Sequence, residues 1–214
     1  MAAHPLWNAP NLLSLSRLPL TALLVACVAR ELWAAALATF AVAAFTDWAD
    51  GWWARRYGPL TAVGRNLDPL TDKVLIAGAF ISLIPVEGAG VAPWVATVVV
   101  CRELLVTGLR GIVEATGRTF GADWFGKLKM VLQCAVVVGV LLILTLRGHG
   151  ETAVADALAP VQGVLMAAML AATVGSAVQY SVKAAKLLGS VSRNLESKEF
   201  DRVEPHSTTG SGVE

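Results

Sequence analysis

The chain has 214 residues, of which 56% are hydrophobic and only 15% are charged, and its mean hydropathy is +0.62. These values exclude an ordinary water-soluble enzyme, and they exclude disorder over most of the chain, because disordered segments combine low hydrophobicity with high net charge. The net charge of +1 provides no bulk basic field, so we expect no nucleic-acid partner. The composition predicts an integral membrane protein surrounded by membrane lipid.

Six apolar stretches follow one another along the chain, each about long enough to cross a hydrocarbon core of about 30 Å. They cover residues 11–28, 32–55, 68–85, 91–116, 125–146 and 161–187. The predicted fold is therefore all-α, an integral membrane bundle of six transmembrane helices formed by residues 1–188. The polar segment 189–214 is predicted to be a disordered tail.

The distribution of Lys and Arg predicts how the bundle is oriented. If the amino terminus is cytoplasmic, the outer loops contain only Arg30 and Arg147 among the 17 basic residues. Cytoplasmic connections of membrane proteins carry an excess of Lys and Arg. We therefore predict that both termini are cytoplasmic, with outer connections near Arg30, at 86–90 and at 148–159.

The three cysteines, Cys27, Cys101 and Cys134, are dispersed within apolar stretches. Their spacing is typical neither of a disulfide framework nor of a zinc site. We predict that they are structural, buried thiols.

Small residues recur every fourth position in the sixth predicted span, where they form one face of a helix: Gly163, Ala167, Ala171 and Gly175. This spacing lets helices approach closely in lipid. Both a homodimer interface and close packing inside one bundle would use it, so the pattern leaves the two alternatives open.

Four carboxylates lie at the inner ends of the second and third predicted spans. Asp47 and Asp50 are three residues apart, and Asp68 and Asp72 are four apart. On a helix, each pair therefore shares one face. If the two helices face each other, the four carboxylates surround one point. A charged side chain within a membrane costs at least about 2.5 kcal/mol, which makes such a cluster a candidate functional site.

Oxygen ligands of this kind suit a hard divalent cation, because four uncompensated carboxylates would repel one another. Mg²⁺ is the expected ion, with Mn²⁺ or Ca²⁺ as substitutes, and the absence of clustered His or Cys argues against zinc. Two ions around a phosphoryl group would use all four carboxylates. The alternative is salt bridging to neighbouring basic residues, which explains the charge balance but not the carboxylate spacing.

The neighbours of the carboxylates favour a phosphate-containing substrate. Gly51 removes a side chain where a ligand could approach the backbone, and Ala54 keeps the same groove shallow. Arg55 offers a planar fork of donors for phosphate oxygens. The Asp68-Pro69 pair is typical of an N-cap followed by an N1 proline, which predicts that the third helix begins there.

Residues 47–72 read D-x2-D-G-x2-A-R-x8-G-x3-D-x3-D. This segment resembles, at every fixed position, the signature of the CDP-alcohol phosphatidyltransferase family of integral membrane enzymes. Softer similarities point to the phosphatidylglycerophosphate synthases within that family: P-N-L-L-S-L-S-R at 10–17, R-E-L-L-V-T-G-L-R at 102–110 and G-K-L-K at 126–129. The chain departs from those synthases at Met130, where they usually have a small Thr.

The resemblance implies roles for named residues. It implies that Asp47, Asp50, Asp68 and Asp72 bind the metal ions, and that Asp72 is also the general base. It further implies a binding site for CDP-diacylglycerol formed by Asn11, Arg17, Asp47, Gly51, Ala54, Arg55, Thr61 and Gly64.

The acceptor alcohol requires residues outside this set. A small anionic acceptor such as glycerol 3-phosphate needs cations, and Arg110, Lys127 and Lys129 are predicted at the inner side of the fourth and fifth spans. The ordinary excess of basic residues on the inner side is the alternative explanation. The adjacent Arg102 and Glu103 are interpreted as a structural ion pair.

The expected activity is transfer of the phosphatidyl group of CDP-diacylglycerol to glycerol 3-phosphate, giving phosphatidylglycerophosphate and CMP. Two alternatives keep the chemistry and change the acceptor, to phosphatidylglycerol, giving cardiolipin, or to an inositol phosphate. A small cation transporter is the alternative of another class, although carboxylates gathered at one membrane face argue against it. The resemblance implies a bacterial inner membrane with the active site at its cytoplasmic face.

Overall fold

Six α-helices make up the part of the chain that the structure, a computed structural model, describes. The backbone is described over 9–57, 62–116 and 124–203, and the side chains over 15–46, at 71, and over 73–116 and 126–187. The helices are α1 (Ala9–Ala29), α2 (Trp33–Tyr57), α3 (Ala62–Leu83), α4 (Pro93–Ala115), α5 (Trp124–Gly148) and α6 (Thr152–Val203). The predicted all-α fold of six helices is confirmed. Runs of Ala, Val and Leu favour this outcome, because a helix satisfies its own backbone hydrogen bonds without water.

The third helix begins earlier than predicted. It starts at Ala62, so Asp68 and Pro69 lie inside it and Asp68 is not its N-cap. The proline is tolerated because its fixed φ of about −65° is itself helical, and the cost is one missing donor and local crowding. Asp68 and Asp72 therefore lie one turn apart within the same helix.

The sixth helix is longer at both ends than the predicted span 161–187. It begins at Thr152, so it includes Pro160 and most of the predicted connection 148–159. It also continues to Val203, so residues 189–203 are helical rather than disordered, and 204–214 lie outside the described residues.

Two short connections close with the same hydrogen-bond pattern. After α1, Glu31 adopts a positive φ of 57°, its N–H bonds the Val28 carbonyl, and the Leu32 N–H bonds the Cys27 carbonyl. After α5, Gly150 has a φ of 83° and makes the equivalent turn. This Schellman arrangement satisfies the last helical carbonyls and reverses the chain within a few residues. It places α1 beside α2 and α5 beside α6.

The core lies where the helices meet. Helix α1 contacts α2 and α3, whereas α5 contacts α2, α3 and α6, and α4 joins α3 and α6. Large side chains with no exposed surface fill the centre, among them Leu24, Phe40, Phe80, Val99 and Leu141. This packing brings α2 and α3, which carry the four Asp residues, against the same two neighbours, α1 and α5.

Two of the helices are long and apolar enough to cross a membrane, judged over the described residues. They correspond to Gly126–Gly148 and Thr152–Leu187, and shorter apolar helices cover Leu15–Ala29, Trp33–Thr46 and Lys73–Leu83. Helix α6 exposes Val161, Val164, Val174 and Val178. A continuous apolar surface of this kind is typical of a face covered by lipid.

The cysteines differ from expectation in their burial. None of the three forms a disulfide, as predicted, but only Cys27 is buried, and Cys134 is half-buried. Cys101, however, is exposed on α4, beside the equally exposed Leu104 and Leu105. A thiol behaves as a small hydrophobe, so it is compatible with this apolar face.

Candidate active site

The four Asp residues of the signature lie on two helices. Asp47 and Asp50 belong to α2, and Asp68 and Asp72 belong to α3. The helical spacing places each pair on one face, as predicted. Their side chains lie outside the described residues, and the part of the chain whose side chains are described contains no group of three or more potential ligands for a metal. Only oxygen donors are present in the four, which fits magnesium.

The other residues predicted to contact the donor substrate fall into three groups. Gly51, Ala54 and Arg55 lie in the last turns of α2, all on the C-terminal side of Asp50. Asn11 lies in the first turn of α1 and Gly64 in the first turn of α3. Thr61 lies outside the described residues. The predicted donor contacts thus lie at the start of α1, the end of α2 and the start of α3. Their contacts with the ligand remain a prediction.

Arg17 ties the first helix to the third, directly beside a predicted catalytic residue. Its side chain is 0% exposed, and its Nη1 donates to Thr71 Oγ1 over 3.3 Å. Thr71 is also buried, and it immediately precedes Asp72 in α3. Arg17 therefore contacts the helix that carries Asp68 and Asp72, and its predicted contact with the donor substrate stays a prediction.

A second polar site joins α4 and α5. Arg102 and Glu103 lie next to each other on α4, and Arg102 Nη1 donates to both Glu103 carboxylate oxygens, at 3.3 and 3.4 Å. Lys129 of α5 donates its ammonium to Glu103 Oε1. All three residues are buried, with 6–8% of their surface exposed. We call them the Arg102–Glu103–Lys129 cluster, and the predicted Arg102–Glu103 ion pair is confirmed within it.

Helix α6 completes the surroundings of this cluster. Arg102 Nε donates to Ser176 Oγ over 3.0 Å, and the guanidinium lies over the Tyr180 ring, 5.7 Å from its centroid. A Cβ at Gly126 would lie 3.4 Å from the Tyr180 hydroxyl oxygen. This is an ordinary van der Waals distance, so Tyr180 packs against the start of α5, and residues of three helices surround the cluster.

The Arg102–Glu103–Lys129 cluster contains two cations and one carboxylate. Its formal charge is therefore positive, in surroundings where an unpaired charge is costly. The contacts described above use one of the three ammonium protons of Lys129 and leave the Arg102 Nη2 donors for another group. Chemically, this arrangement is suited to an anion that accepts several hydrogen bonds, such as a phosphate group.

The three cations predicted to bind the acceptor phosphate are not equivalent. Lys129 is buried in the cluster, whereas Lys127, two residues earlier on α5, is exposed. Two residues correspond to about 200° around a helix, so the two lysines lie on different faces. Arg110 is half-buried and follows Glu103 by seven residues, which places it about two turns away on the same face of α4.

Sequence reasoning missed Ser176 and Tyr180 as contributors to this site. The available signal was their spacing, since polar side chains four residues apart share one face of an otherwise apolar helix. Their partner on α4 is 74 residues away from Ser176 in the chain. Only the packing of α4 on α6 identifies it.

Sequence comparisons identify relatives of this chain. The family profile described as CDP-alcohol phosphatidyltransferase matches residues 7–177. The chain is 40% identical over 104 residues to a CDP-diacylglycerol–glycerol-3-phosphate 3-phosphatidyltransferase of Bacillus subtilis, covering 48% of this chain and 52% of that protein. It is 40% identical over 157 residues to a probable phosphatidylglycerophosphate synthase of Mycobacterium tuberculosis, and this match covers 73% of this chain and 68% of that protein. An Escherichia coli protein with the same name as the Bacillus one is 35% identical to the chain over 144 residues. That match covers 63% of this chain and 77% of the Escherichia protein. The match thus spans about half the length of the Bacillus relative.

Proposed function

Because the chain belongs to the CDP-alcohol phosphatidyltransferase family, we propose that it transfers the phosphatidyl group of CDP-diacylglycerol to glycerol 3-phosphate. The products are phosphatidylglycerophosphate, which stays in the membrane, and CMP. The names of the relatives from Bacillus and Escherichia state this donor and this acceptor. Family membership also decides between an enzyme and a cation transporter in favour of the enzyme.

One observation carries the proposal: the complete signature from Asp47 to Asp72 lies on two helices that contact the same neighbours. Each helix contributes one pair of carboxylates about one turn apart. Carboxylates in this arrangement can bind a divalent cation, and the positive charge of that cation also attracts the pyrophosphate of the substrate.

The four Asp residues are the proposed ligands of the metal, and family membership implies that the enzyme depends on a divalent cation. Magnesium is the proposed ion, manganese its substitute, and two ions per site the proposed number. When bound, magnesium supplies positive charge that neutralises the pyrophosphate of the donor. Removing the metal with EDTA is expected to abolish transfer, and adding magnesium back is expected to restore it.

The proposed reaction is a single displacement at phosphorus. The acceptor hydroxyl oxygen forms a bond to the phosphorus of the phosphatidyl group, and the bond from that phosphorus to the bridging pyrophosphate oxygen breaks. CMP leaves with the bridging oxygen. Asp72 takes the hydroxyl proton as general base, while Asn11, Arg17, Gly51, Ala54, Arg55, Thr61 and Gly64 are the proposed contacts of the donor. Asp72 therefore has two proposed roles, as a ligand of the metal and as the general base.

The acceptor phosphate is proposed to bind beside α4 and α5. The buried Lys129 supplies the ammonium. Arg110 and Lys127 supply further positive charge at the same, cytoplasmic side of the membrane, with Lys127 on a different face of α5 from Lys129. The positive formal charge of the Arg102–Glu103–Lys129 cluster supports an anionic acceptor over an uncharged one.

An acceptor panel tests the proposal. The purified protein in detergent receives CDP-diacylglycerol, magnesium and one acceptor at a time: glycerol 3-phosphate, phosphatidylglycerol or an inositol phosphate. We expect CMP release with glycerol 3-phosphate. Release with only one of the other acceptors would keep the chemistry and overturn the proposed acceptor, whereas a protein that releases no CMP with any of them would contradict the enzyme assignment for this chain.

The proposed membrane arrangement has six spans, both termini in the cytoplasm and the active site at the cytoplasmic face of a bacterial inner membrane. The long apolar helices α5 and α6 and the asymmetry of Lys and Arg support it. A membrane-impermeant thiol reagent tests it on single cysteines at Glu31 and Glu114, in a background without the native cysteines. On intact cells, labelling is expected at position 31, in an outer connection, and not at position 114. The reverse pattern would overturn the orientation.

A homodimer through α6 is the proposed oligomer. The small residues Gly163, Ala167, Ala171 and Gly175 are all exposed on the bundle, and a Cβ at Gly163 or Gly175 would meet no atom within 4 Å. The lack of near neighbours at these two glycines, among the described residues, supports a homodimer over close packing inside one bundle. The replacement Gly175→Leu is expected to convert the dimer into a monomer in size-exclusion chromatography with light scattering, with Gly189→Leu as the control. A native monomer, or a dimer that survives the replacement, would contradict the proposal.

A further inference from the structure

We infer that Glu103 is a positioning residue for the acceptor phosphate, because it holds the buried cations Arg102 and Lys129 beside each other. The inference rests on the proposed function, whose acceptor is glycerol 3-phosphate. Glu103 lies in the segment 102–110 that resembles the synthases, but that resemblance assigns it no role in the reaction. Its role follows from the contacts that join α4 to α5.

The contacts show how one carboxylate organises two cations. Lys129 donates to Glu103 Oε1, and Arg102 donates to the same oxygen over 3.3 Å. Without a shared anion, two buried positive charges that both contact one oxygen atom would repel each other. Glu103 therefore compensates the repulsion and fixes the place where both side chains present their remaining N–H groups.

The supporting contacts restrict Glu103 and Arg102 further. Thr107 donates to the Glu103 backbone carbonyl over 2.6 Å, and Ser176 accepts from Arg102 Nε over 3.0 Å. Arg102 also lies over the ring of Tyr180. Since Arg102 has these partners on α6, the side chain most dependent on Glu103 is Lys129, whose described ion pair is with that carboxylate.

The functional consequence follows from this dependence. When Glu103 is replaced by Gln, Lys129 loses a charged partner in buried surroundings, and the ammonium then moves towards water or loses its proton. In the first case the ammonium leaves its place beside Arg102, and in the second it can no longer donate a charge-assisted hydrogen bond to the acceptor phosphate. Binding of CDP-diacylglycerol, which is assigned to α1, α2 and α3, does not depend on this ion pair. The effect is therefore expected on one substrate and not on the other.

The test compares Michaelis constants for the two substrates in the full-length enzyme. Glu103→Gln is expected to raise the KM for glycerol 3-phosphate at least about tenfold, the usual scale for losing one buried charged partner, and to change the KM for CDP-diacylglycerol less than about twofold. The matched control is Glu114→Gln, the same replacement at an exposed position of α4. It is expected to leave both constants unchanged.

A double variant tests whether Glu103 acts through Lys129. Lys129→Gln is expected to raise the acceptor KM, and adding Glu103→Gln to it is expected to change that constant by less than about twofold, since coupled residues are not additive. Independent effects that multiply would overturn the inference. So would a Glu103→Gln enzyme whose acceptor KM is unchanged or lower, or in which both constants rise together.

Two further measurements keep the outcomes distinct. If Glu103→Gln does not yield a monodisperse protein, Glu103→Asp keeps the charge and shortens the side chain by one methylene, and an acceptor KM unchanged in that variant overturns the inference. The wild-type acceptor panel is run alongside. Wild-type activity that requires another acceptor overturns the proposed function, whereas wild-type activity with glycerol 3-phosphate and no selective effect at Glu103 overturns the inference alone.

Discussion

Replacing Thr71 by Val removes the hydroxyl that receives Arg17 and leaves the side-chain volume almost unchanged. The Arg17 guanidinium is fully buried, so water cannot replace the lost partner. A hydrogen bond to a charged group contributes about 1.5–3 kcal/mol. The 3.3 Å separation is longer than the usual distance of about 2.9 Å, which favours the lower half of that range, about 1.5–2 kcal/mol.

For a chain of this length, such a loss lowers the apparent melting temperature in detergent by roughly 3–8 °C. Turnover is expected to fall about tenfold, because Asp72 directly follows Thr71 and small displacements of a catalytic group have large effects. The matched control is Thr97→Val on α4, where an exposed hydroxyl bonds the Pro93 carbonyl of its own helix. A Thr71→Val enzyme as stable and as active as Thr97→Val would refute the role given to the Arg17–Thr71 bond.

Three further replacements test the packing of the bundle through the free energy of unfolding in detergent. Glu31→Gly is expected to raise it by about 1 kcal/mol, because Glu31 has a φ of 57° that costs residues other than glycine about that much. Ala22→Gly, at an exposed position inside α1, is expected to lower it by a similar amount, and two changes of the same sign would contradict this. Gln133 is 1% exposed, and its Nε2 has no hydrogen-bond partner among the described residues. Gln133→Leu is therefore expected to leave the free energy of unfolding unchanged or to raise it. A decrease of more than about 1 kcal/mol would show that the amide has a partner. Gln162 of α6 donates its Nε2 to the Val136 carbonyl of α5 over 2.9 Å, and a Cβ at Gly139 would lie 2.1 Å from Gln162 Oε1. Gly139→Ala is therefore expected to displace the amide from that carbonyl and to cost about 1 kcal/mol, and unchanged stability would contradict this contact.

Much of the fold could be predicted from hydrophobicity, since six apolar stretches correspond to six helices. Two of the differences arise at prolines. The Asp68-Pro69 pair predicts a helix start, and the predicted sixth span begins just after Pro160, yet both prolines lie inside helices. A local rule reads proline as a boundary, but it cannot evaluate the apolar packing and the flanking helical turns that continue the helix through it.

The candidate site divides in the same way. The spacing of the four Asp residues is local, so a signature within 26 residues could identify them. The Arg102–Glu103–Lys129 cluster is not local, because its lysine lies 26 residues from Glu103 and on another helix. Sequence analysis could name Lys129 as a cation beside the acceptor. It could not show that Glu103 is its ion-pair partner, because only the packing of α4, α5 and α6 brings these side chains together.

The most direct test of the proposed activity is the stoichiometry of its two products. Purified wild-type enzyme is supplied with CDP-diacylglycerol, magnesium and isotopically labelled glycerol 3-phosphate, and CMP and labelled lipid are quantified together. We expect equal amounts of CMP and phosphatidylglycerophosphate, and neither product from Asp72→Asn. CMP released without labelled lipid, with phosphatidic acid in its place, would mean that water and not glycerol 3-phosphate is the acceptor, and would contradict the proposed transfer.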